Sequence, residues 1–305
     1  MGRYVVRRSL RAAAALVGVV AVVFALLHVS GDPSYILLPL EATDAQRAAF
    51  RAQYGLDQPL PVQFAAYLAR CLRGDFGHSF SFQVPALHVV LQRLPATLEL
   101  TVAALALAIV LAVPAGMIAA TRRGTRYDRL VMGIVLVGQS VPTFWLGMMM
   151  ILVLGVHFHL LPVSGRGTVW HLVMPAIALS LWLVALLARV TRSEMLEVLA
   201  QDYVRTARAK GISEPGIARR HALRNALLPI ITVVGLQFGG LLGGAVMTET
   251  VFAWPGVGTM ILDAILKKDY PVVLAGVMMV ALGFIVINLL LDLLYSALDP
   301  RIRRA

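Results

Sequence analysis

In 305 residues, 59% apolar and only 14% charged side chains, with a mean hydropathy of +0.80, exceed what a water-soluble core of this length requires, and the chain reads as a polytopic membrane protein. A net charge of +11 would suit nucleic acid, but Lys and Arg gathered on one side of a membrane explain it more simply, so no nucleic-acid partner is expected.

Six stretches, near 12–29, 96–120, 130–156, 171–188, 227–247 and 272–297, are long and uncharged enough to cross about 30 Å of hydrocarbon as helices. They are continuously apolar, whereas barrel strands alternate, so the expected fold class is all-α with six transmembrane helices. The first run follows Arg7, Arg8 and Arg11, as a signal peptide would, but it is longer than the usual apolar core of such peptides and no small-residue cleavage pattern follows, so it is read as a retained anchor. With both termini inside, 19 of the 27 Lys and Arg residues fall on the inner side, which gives an N-in, C-in topology.

Residues 30–95 then lie outside. Within them, 45–54 and 62–72 have helical spacing, and they are broken by Gly55 to Pro61 and ended by Gly74 to Gly77. The amphipathic spacing predicts a small, mostly helical cap packed against the bundle. Cys71 is the single cysteine and gives no disulfide and no redox signal. Further along, Pro114 and Pro142 interrupt spans that neighbouring helices can re-satisfy.

Between the fourth and fifth runs stands a polar, basic segment, 189–224. Leu196, Leu199, Tyr203, Val204 and Ala207 form one stripe at helical spacing, with Glu197, Gln201, Arg205 and Arg208 on another face. Gly211 reads as the C-terminal stop, and Ser213, followed by Glu214 and Pro215, as the cap of a second helix running toward Leu223. A solvated loop and a DNA-binding helix-turn-helix are the competing readings. Anchoring of both ends in the membrane favours a protein partner on the inner face.

In the fifth run, Gly235, Gly239 and Gly243 recur every four residues, the spacing that lets helix backbones approach closely. Polar groups inside spans are costly, so Gln139, Ser140, Gln237 and Asn288, together with Glu99 and Asp292 near span ends, are pathway candidates; structural roles compete for each. His157 and His159 lack a nearby Cys, Asp or Glu to complete a metal set, and Ser140 and Ser164 lack a nucleophile motif, so no catalytic, cofactor or metal site is expected. An ion-driven secondary transporter is the rival among transport functions, but no clear internal repeat is visible and central charges are few.

The run Asp202-Tyr203-Val204-Arg205-Thr206-Ala207-Arg208-Ala209-Lys210-Gly211, followed by Arg224 to Pro229, resembles the "EAA" loop of bacterial ABC-importer permeases, in the dipeptide, oligopeptide and nickel branch, first-permease type. Arg205-Thr206-Ala207 stands where the loop's name has Glu-Ala-Ala. Gly31-Asp32-Pro33, the 55–60, 74–79 and 94–100 segments, Glu249 to Phe252 with Pro255 to Gly258, and Leu298-Asp299-Pro300-Arg301 are similar to further signatures of that branch. The resemblance implies a type I ABC importer permease fold in the bacterial inner membrane. It divides the chain into 1–29 (tail and first span), the extracytoplasmic 30–95, a core permease domain 96–297 carrying the coupling loop 189–224, and the tail 298–305. It also implies a second, similar permease forming a heterodimer, two ATP-binding subunits and an extracytoplasmic substrate-binding protein. Residues 202–211 would then couple to the ATPase, and cargo would be peptides or a related small solute, with much of the selectivity on the binding protein. Independently, the chain has no G-x-x-x-x-G-K-[ST] loop, so ATP and Mg²⁺ are expected on partner subunits.

Overall fold

A computed structural model of the chain describes residues 2–29, 31–39 and 41–298, with side chains for all of these except 2–10, 12, 244 and 292–298. The signature at 298–301 therefore lies almost wholly outside the described residues. In chain order the helices are α1 Gly2–Val29, α2 Ser34–Leu37, α3 Asp44–Tyr54, α4 Leu60–Cys71, α5 Ala86–Thr121, α6 Arg126–Ser140, α7 Thr143–Met150, α8 Val169–Leu199, α9 Asp202–Ala209, α10 Glu214–Gly216, α11 Leu223–Gly244, α12 Val246–Val251, α13 Val257–Leu266 and α14 Tyr270–Leu298. Wider π-helical turns continue α7 through Ile151–His157 and join α10 to α11 through Ile217–Ala222. Among the described residues there is no strand, and the fold is all-α.

Among the described residues, four stretches are long and apolar enough to cross a membrane: Ala86–Thr121, Val169–Leu199, Glu214–Gly243 and Tyr270–Leu291. The predicted span at 130–156 is corrected to a broken one, because α6 and the α7 segment meet at 93°. Pro142 disfavours the helical conformation for the residue before it, and Val141 is accordingly extended (φ −83°, ψ 122°). Counting the pair as one crossing gives five. The predicted boundary at 189 also moves, since α8 continues past its apolar part to Leu199; at 1.5 Å per residue its 31 residues measure roughly 46 Å, well beyond the hydrocarbon thickness. Likewise α5 begins ten residues before the predicted 96, at Ala86, and carries Pro95 and Pro114 without a break.

The chain forms two compact units, Met1–Thr97 with Pro255–Ile285, and Leu98–Trp254 with Val286–Ala305. In the first, the predicted cap helices are present. Thr43 caps α3 reciprocally with Gln46, and Gly55 ends it in the left-handed conformation (φ 67°) that a residue with a Cβ resists. Phe50, Tyr54, Phe64, Tyr67 and Phe80 pack on Val20, Phe24 and Leu27 of α1 and on Tyr270, Val273 and Leu274 of α14, and α13 completes this core. The carboxylate of buried Asp269 accepts from Ser79 Oγ at 2.5 Å and from the amides of Phe80 and Ser81 at 3.0 and 3.1 Å. Tyr270 donates to the carbonyls of Leu27 and Gly31, closing the end of α1 over the same spot. The hydroxyl of buried Thr97 accepts from the amide of Val257, one of the free donors at the start of α13.

In the second unit, α8 is the central helix, packed by α6, α7, α11 and α12. Gly116 of α5 lies so close to it that a Cβ would stand 2.7 Å from the Ala188 carbonyl, a backbone atom that cannot yield. Gly147 brings α7 against the side chains of Phe252 and Val251, which a Cβ would meet at 3.0 and 3.1 Å.

Asp269→Ala removes the acceptor that holds the segment around Phe80, and its three charged hydrogen bonds are the strong kind. Hydrogen exchange at the Phe80 and Ser81 amides is expected to accelerate at least tenfold in that variant. Unchanged protection would show that the packing of Phe80 alone fixes the segment.

Candidate functional site

The polar hairpin is built from helix ends. Because α8 outruns the hydrocarbon, its last turns carry Arg189 and Arg192 on a rigid extension of a span. Asp128, 5% exposed at the start of α6, takes Arg192 in a two-pronged pair, Nε to Oδ1 and Nη2 to Oδ2, both at 2.8 Å. The Gly124 amide donates to the same carboxylate at 3.0 Å. Planar guanidinium against carboxylate fixes orientation as well as distance, so this pair locks the α5–α6 turn to the α8 extension.

The expected stripe from Leu196 to Ala207 is corrected at one point. The helix breaks at Ala200 and Gln201, with Gln201 extended (φ −72°, ψ 150°), and α9 starts anew at Asp202. Val204 and Ala207 are buried with Ile217, and Leu199 closes the cluster. Asp202, Tyr203, Arg205, Thr206, Arg208, Ala209, Lys210 and Gly211 are exposed. Gly211 (φ 78°) ends α9, with the Ile212 amide donating back to the Ala207 carbonyl at 3.2 Å. Ser213 holds the cap position of α10, but its side chain makes no capping bond; its carbonyl receives the Ile217 amide instead.

Three polar links stiffen the hairpin. Arg208 pairs with Glu214 across the glycine turn at 2.7 Å, Asn225 Nδ2 donates to Tyr203 Oη at 2.6 Å, and Arg205 lies 3.4 Å from Asp202. The second limb runs without interruption through the π-helical turn into α11. At its root, Ala218, Ala222, Ala226 and Ile230 pack with Ala120 of α5 and Met195 of α8, and Leu199 touches this cluster as well as the one under α9. Displacement of α9 therefore has a packed route into three helices. The exposed face of α9 carries cations, a phenol and no bulky apolar patch, and it suits a polar protein cleft.

The remaining candidates are placed as follows. Gln139 accepts from Arg189 Nη1 at 2.9 Å, and Ser140 Oγ donates to the Leu136 carbonyl at 3.0 Å, so both are engaged within the chain. Glu99 pairs with Arg166 at 2.7 Å. Gln237 and Asn288 are half-buried, and the Asp292 side chain is outside the described ones. Gly235 faces Leu291, whose side chain a Cβ would strike; Gly239 is buried and Gly243 exposed. Among the described residues, no group of three His, Cys, Asp or Glu side chains is placed to hold a metal. The Asp128–Arg192 lock was not singled out from the sequence, where the only signal was an arginine at the end of an apolar helix and an aspartate inside a basic loop. Asn225 appeared there only as part of a motif.

Comparison with known proteins agrees with this architecture. The model of the family "Binding-protein-dependent transport system inner membrane component" matches residues 112–304, and its N-terminal companion matches residues 1–101. The dipeptide transport system permease protein DppB of Escherichia coli K12 is 40% identical over 336 residues, covering 99% of each chain. The glutathione transport system permease protein GsiC of the same strain is 41% identical over 304 residues, again covering 99% of each. Among solved structures, an inward-facing form of the MetNI methionine ABC transporter superposes with a TM-score of 0.57 at 19% identity, over 69% of this chain and 96% of that one.

Arg192→Ala strands a buried carboxylate, at a cost of about 2 kcal/mol. The thermal unfolding midpoint in detergent is expected to fall, and adding Asp128→Ala to recover at least half of the loss. Equal midpoints for wild type and Arg192→Ala would show that the pair contributes nothing.

Proposed function

The chain belongs to the family of binding-protein-dependent transport system inner membrane components, and from that premise we propose that it forms half of a peptide translocation pathway driven by separate ATPase subunits. It is an inner-membrane permease subunit of an ABC importer, not an enzyme, and it works with partner subunits. The single observation that carries the cargo is its near full-length similarity to a dipeptide and a glutathione permease, two proteins named for short peptides.

The assembly we propose contains a second, similar permease as heterodimeric partner, two subunits that bind ATP and Mg²⁺, and an extracytoplasmic substrate-binding protein. The chain would cross the membrane six times with both ends inside. Support comes from the arginine distribution and from the 28-residue α1, which is long enough to add a crossing to the five above. In this reading 202–211 is the coupling segment. Its exposed face enters a cleft on an ATP-binding subunit, and closure around nucleotide pulls α9, which drags α8 and α11 through Leu199 and the alanine-lined root below it. Rigid-body rocking of packed helices around a central site is the usual means of alternating access. Gln139, Ser140, Gln237 and Asn288 are the side chains proposed to line the route, and Gly235, Gly239 and Gly243 to pack helices within or between permeases.

Arg205→Glu tests the coupling, because it reverses an exposed charge while leaving the Arg208–Glu214 pair intact. In the reconstituted assembly, peptide uptake is expected to fall at least tenfold while ATP hydrolysis persists. Uptake at the wild-type rate per ATP would remove α9 from the coupling path.

A further inference from the structure

The apolar root beneath the coupling hairpin draws its members from α5, α8, the π-helical turn and α11, and among the described residues none comes from α6. Two arginines of α8 reach α6 instead. Arg192 holds Asp128 near the N-terminal end of α6 in the two-pronged pair, and Arg189 Nη1 donates to Gln139 Oε1 near its C-terminal end. Asp128 and Gln139 lie roughly 16 Å apart along α6, whereas the two arginines lie roughly 4.5 Å apart along α8. Grips so widely spaced on α6 fix its direction as well as its position. Gly138 adds a close approach beside the second grip, where a Cβ would stand 3.3 Å from Leu181 of α8.

Stability alone explains such a pair poorly. Taking a carboxylate and a guanidinium out of water costs about as much as their attraction returns, and a well-packed apolar pair would join the helices as firmly. What the fork adds is a fixed orientation between the two elements that carry it. The other end of α6 is less constrained. Directly after Gln139 and Ser140 the chain turns by 93° at Val141 and Pro142, and Pro142 has no amide to carry the helical ladder across. Beyond the bend, α7 packs with Phe252 and with Met174 and Ala178, in the first three turns of α8. The segments on the two sides of the bend are therefore attached to opposite halves of α8.

We propose that Arg192 and Arg189 are positioning residues for transport: through Asp128 and Gln139 they bind α6 to the last turns of α8, so that displacement of the hairpin swings α6 about the Val141–Pro142 bend. The root passes the hairpin's movement to α5, α8 and α11; the two arginines add α6. Gln139 and Ser140, the pathway candidates beside the bend, move with it, while α7 stays with the first turns of α8 and Phe252. The inference rests on the coupling role proposed above for 202–211 and adds the route from that segment to the pathway.

The test uses the complete assembly in a lipid bilayer, with Cys71→Ser as background and spin labels on exposed positions, Ile134→Cys with Glu197→Cys for α6 against α8, and Ile134→Cys with Phe158→Cys for α6 against the segment after the bend. On adding a non-hydrolysable ATP analogue, the 134–197 distance is expected to stay fixed and the 134–158 distance to change. Arg189→Gln with Arg192→Gln is expected to abolish that change and to lower peptide uptake per ATP hydrolysed about fivefold or more, since two charged hydrogen bonds are lost. Uptake per ATP separates positioning from mere stabilisation, because a smaller folded fraction lowers uptake and hydrolysis together. A 134–197 distance that changes with nucleotide, a 134–158 distance that does not, or wild-type uptake per ATP in the double variant would each overturn the proposal. Should the double variant fail to assemble, the two distances without these substitutions, and uptake per ATP in Arg189→Gln, which alters an exposed side chain, still decide it. Arg205→Glu separates the two readings: uncoupling there with normal coupling in the arginine variants refutes the α6 link alone, and normal coupling in both refutes the role of 202–211 as well.

Discussion

Four apolar side chains, Leu199, Val204, Ala207 and Ile217, clamp α9 to the two helices that carry it, and the working of the hairpin depends on that clamp. An isolated helix of eight residues is unstable in water, because nucleation fixes several residues for a single hydrogen bond. Here the buried face supplies what propensity cannot. Leu199 belongs also to the cluster beneath, so α9 is packed continuously onto the base of α5, α8 and α11. Without that contact the exposed cations of α9 would sit on a loose loop, and a pull on them would be absorbed by the turn.

The lipid environment imposes the second constraint, since each backbone group at membrane depth needs an internal partner. Irregular stretches are accordingly brief and backed by packing. The 93° bend at Val141 and Pro142 is followed directly by α7, which Gly147 seats against Phe252. The π-helical turn Ile217–Ala222 lies where the second limb of the hairpin runs into α11, and two of its residues, Ala218 and Ala222, are in the alanine-lined root. Such turns concentrate at functional positions, and this one sits at the junction of the hairpin and α11.

Much of this was legible in the sequence because local chemistry declares it. Gly211 stops α9 through its left-handed backbone, and Glu214-Pro215 opens the next helix, as glycine and proline do at those places. Hydropathy located five of the six predicted spans, counting the bent pair as one, and periodicity located the cap helices at 44–54 and 60–71. The break at Ala200 and Gln201 was hidden, since neither glycine nor proline marks it and helical spacing continues across it. Pro142 was visible, but the angle it produces depends on packing after the bend. Asp269 and its donors stand 188 to 190 residues apart, and Asp128 and Arg192 are 64 apart. Pairings of that range leave no local signature. The close approach at Gly116 is hidden for the same reason, while the glycines spaced by four in α11 drew attention by pattern alone.

The measurement that bears most directly on the lever is cryo-electron microscopy of the intact assembly in nanodiscs, with and without a non-hydrolysable ATP analogue. Tyr203 and Arg205 are expected inside a cleft of an ATP-binding subunit in both states, with α9 displaced together with Leu199 and the ends of α8 and α11 between them. Residues 202–211 facing open solvent, or α9 moving while Leu199 stays fixed, would contradict it.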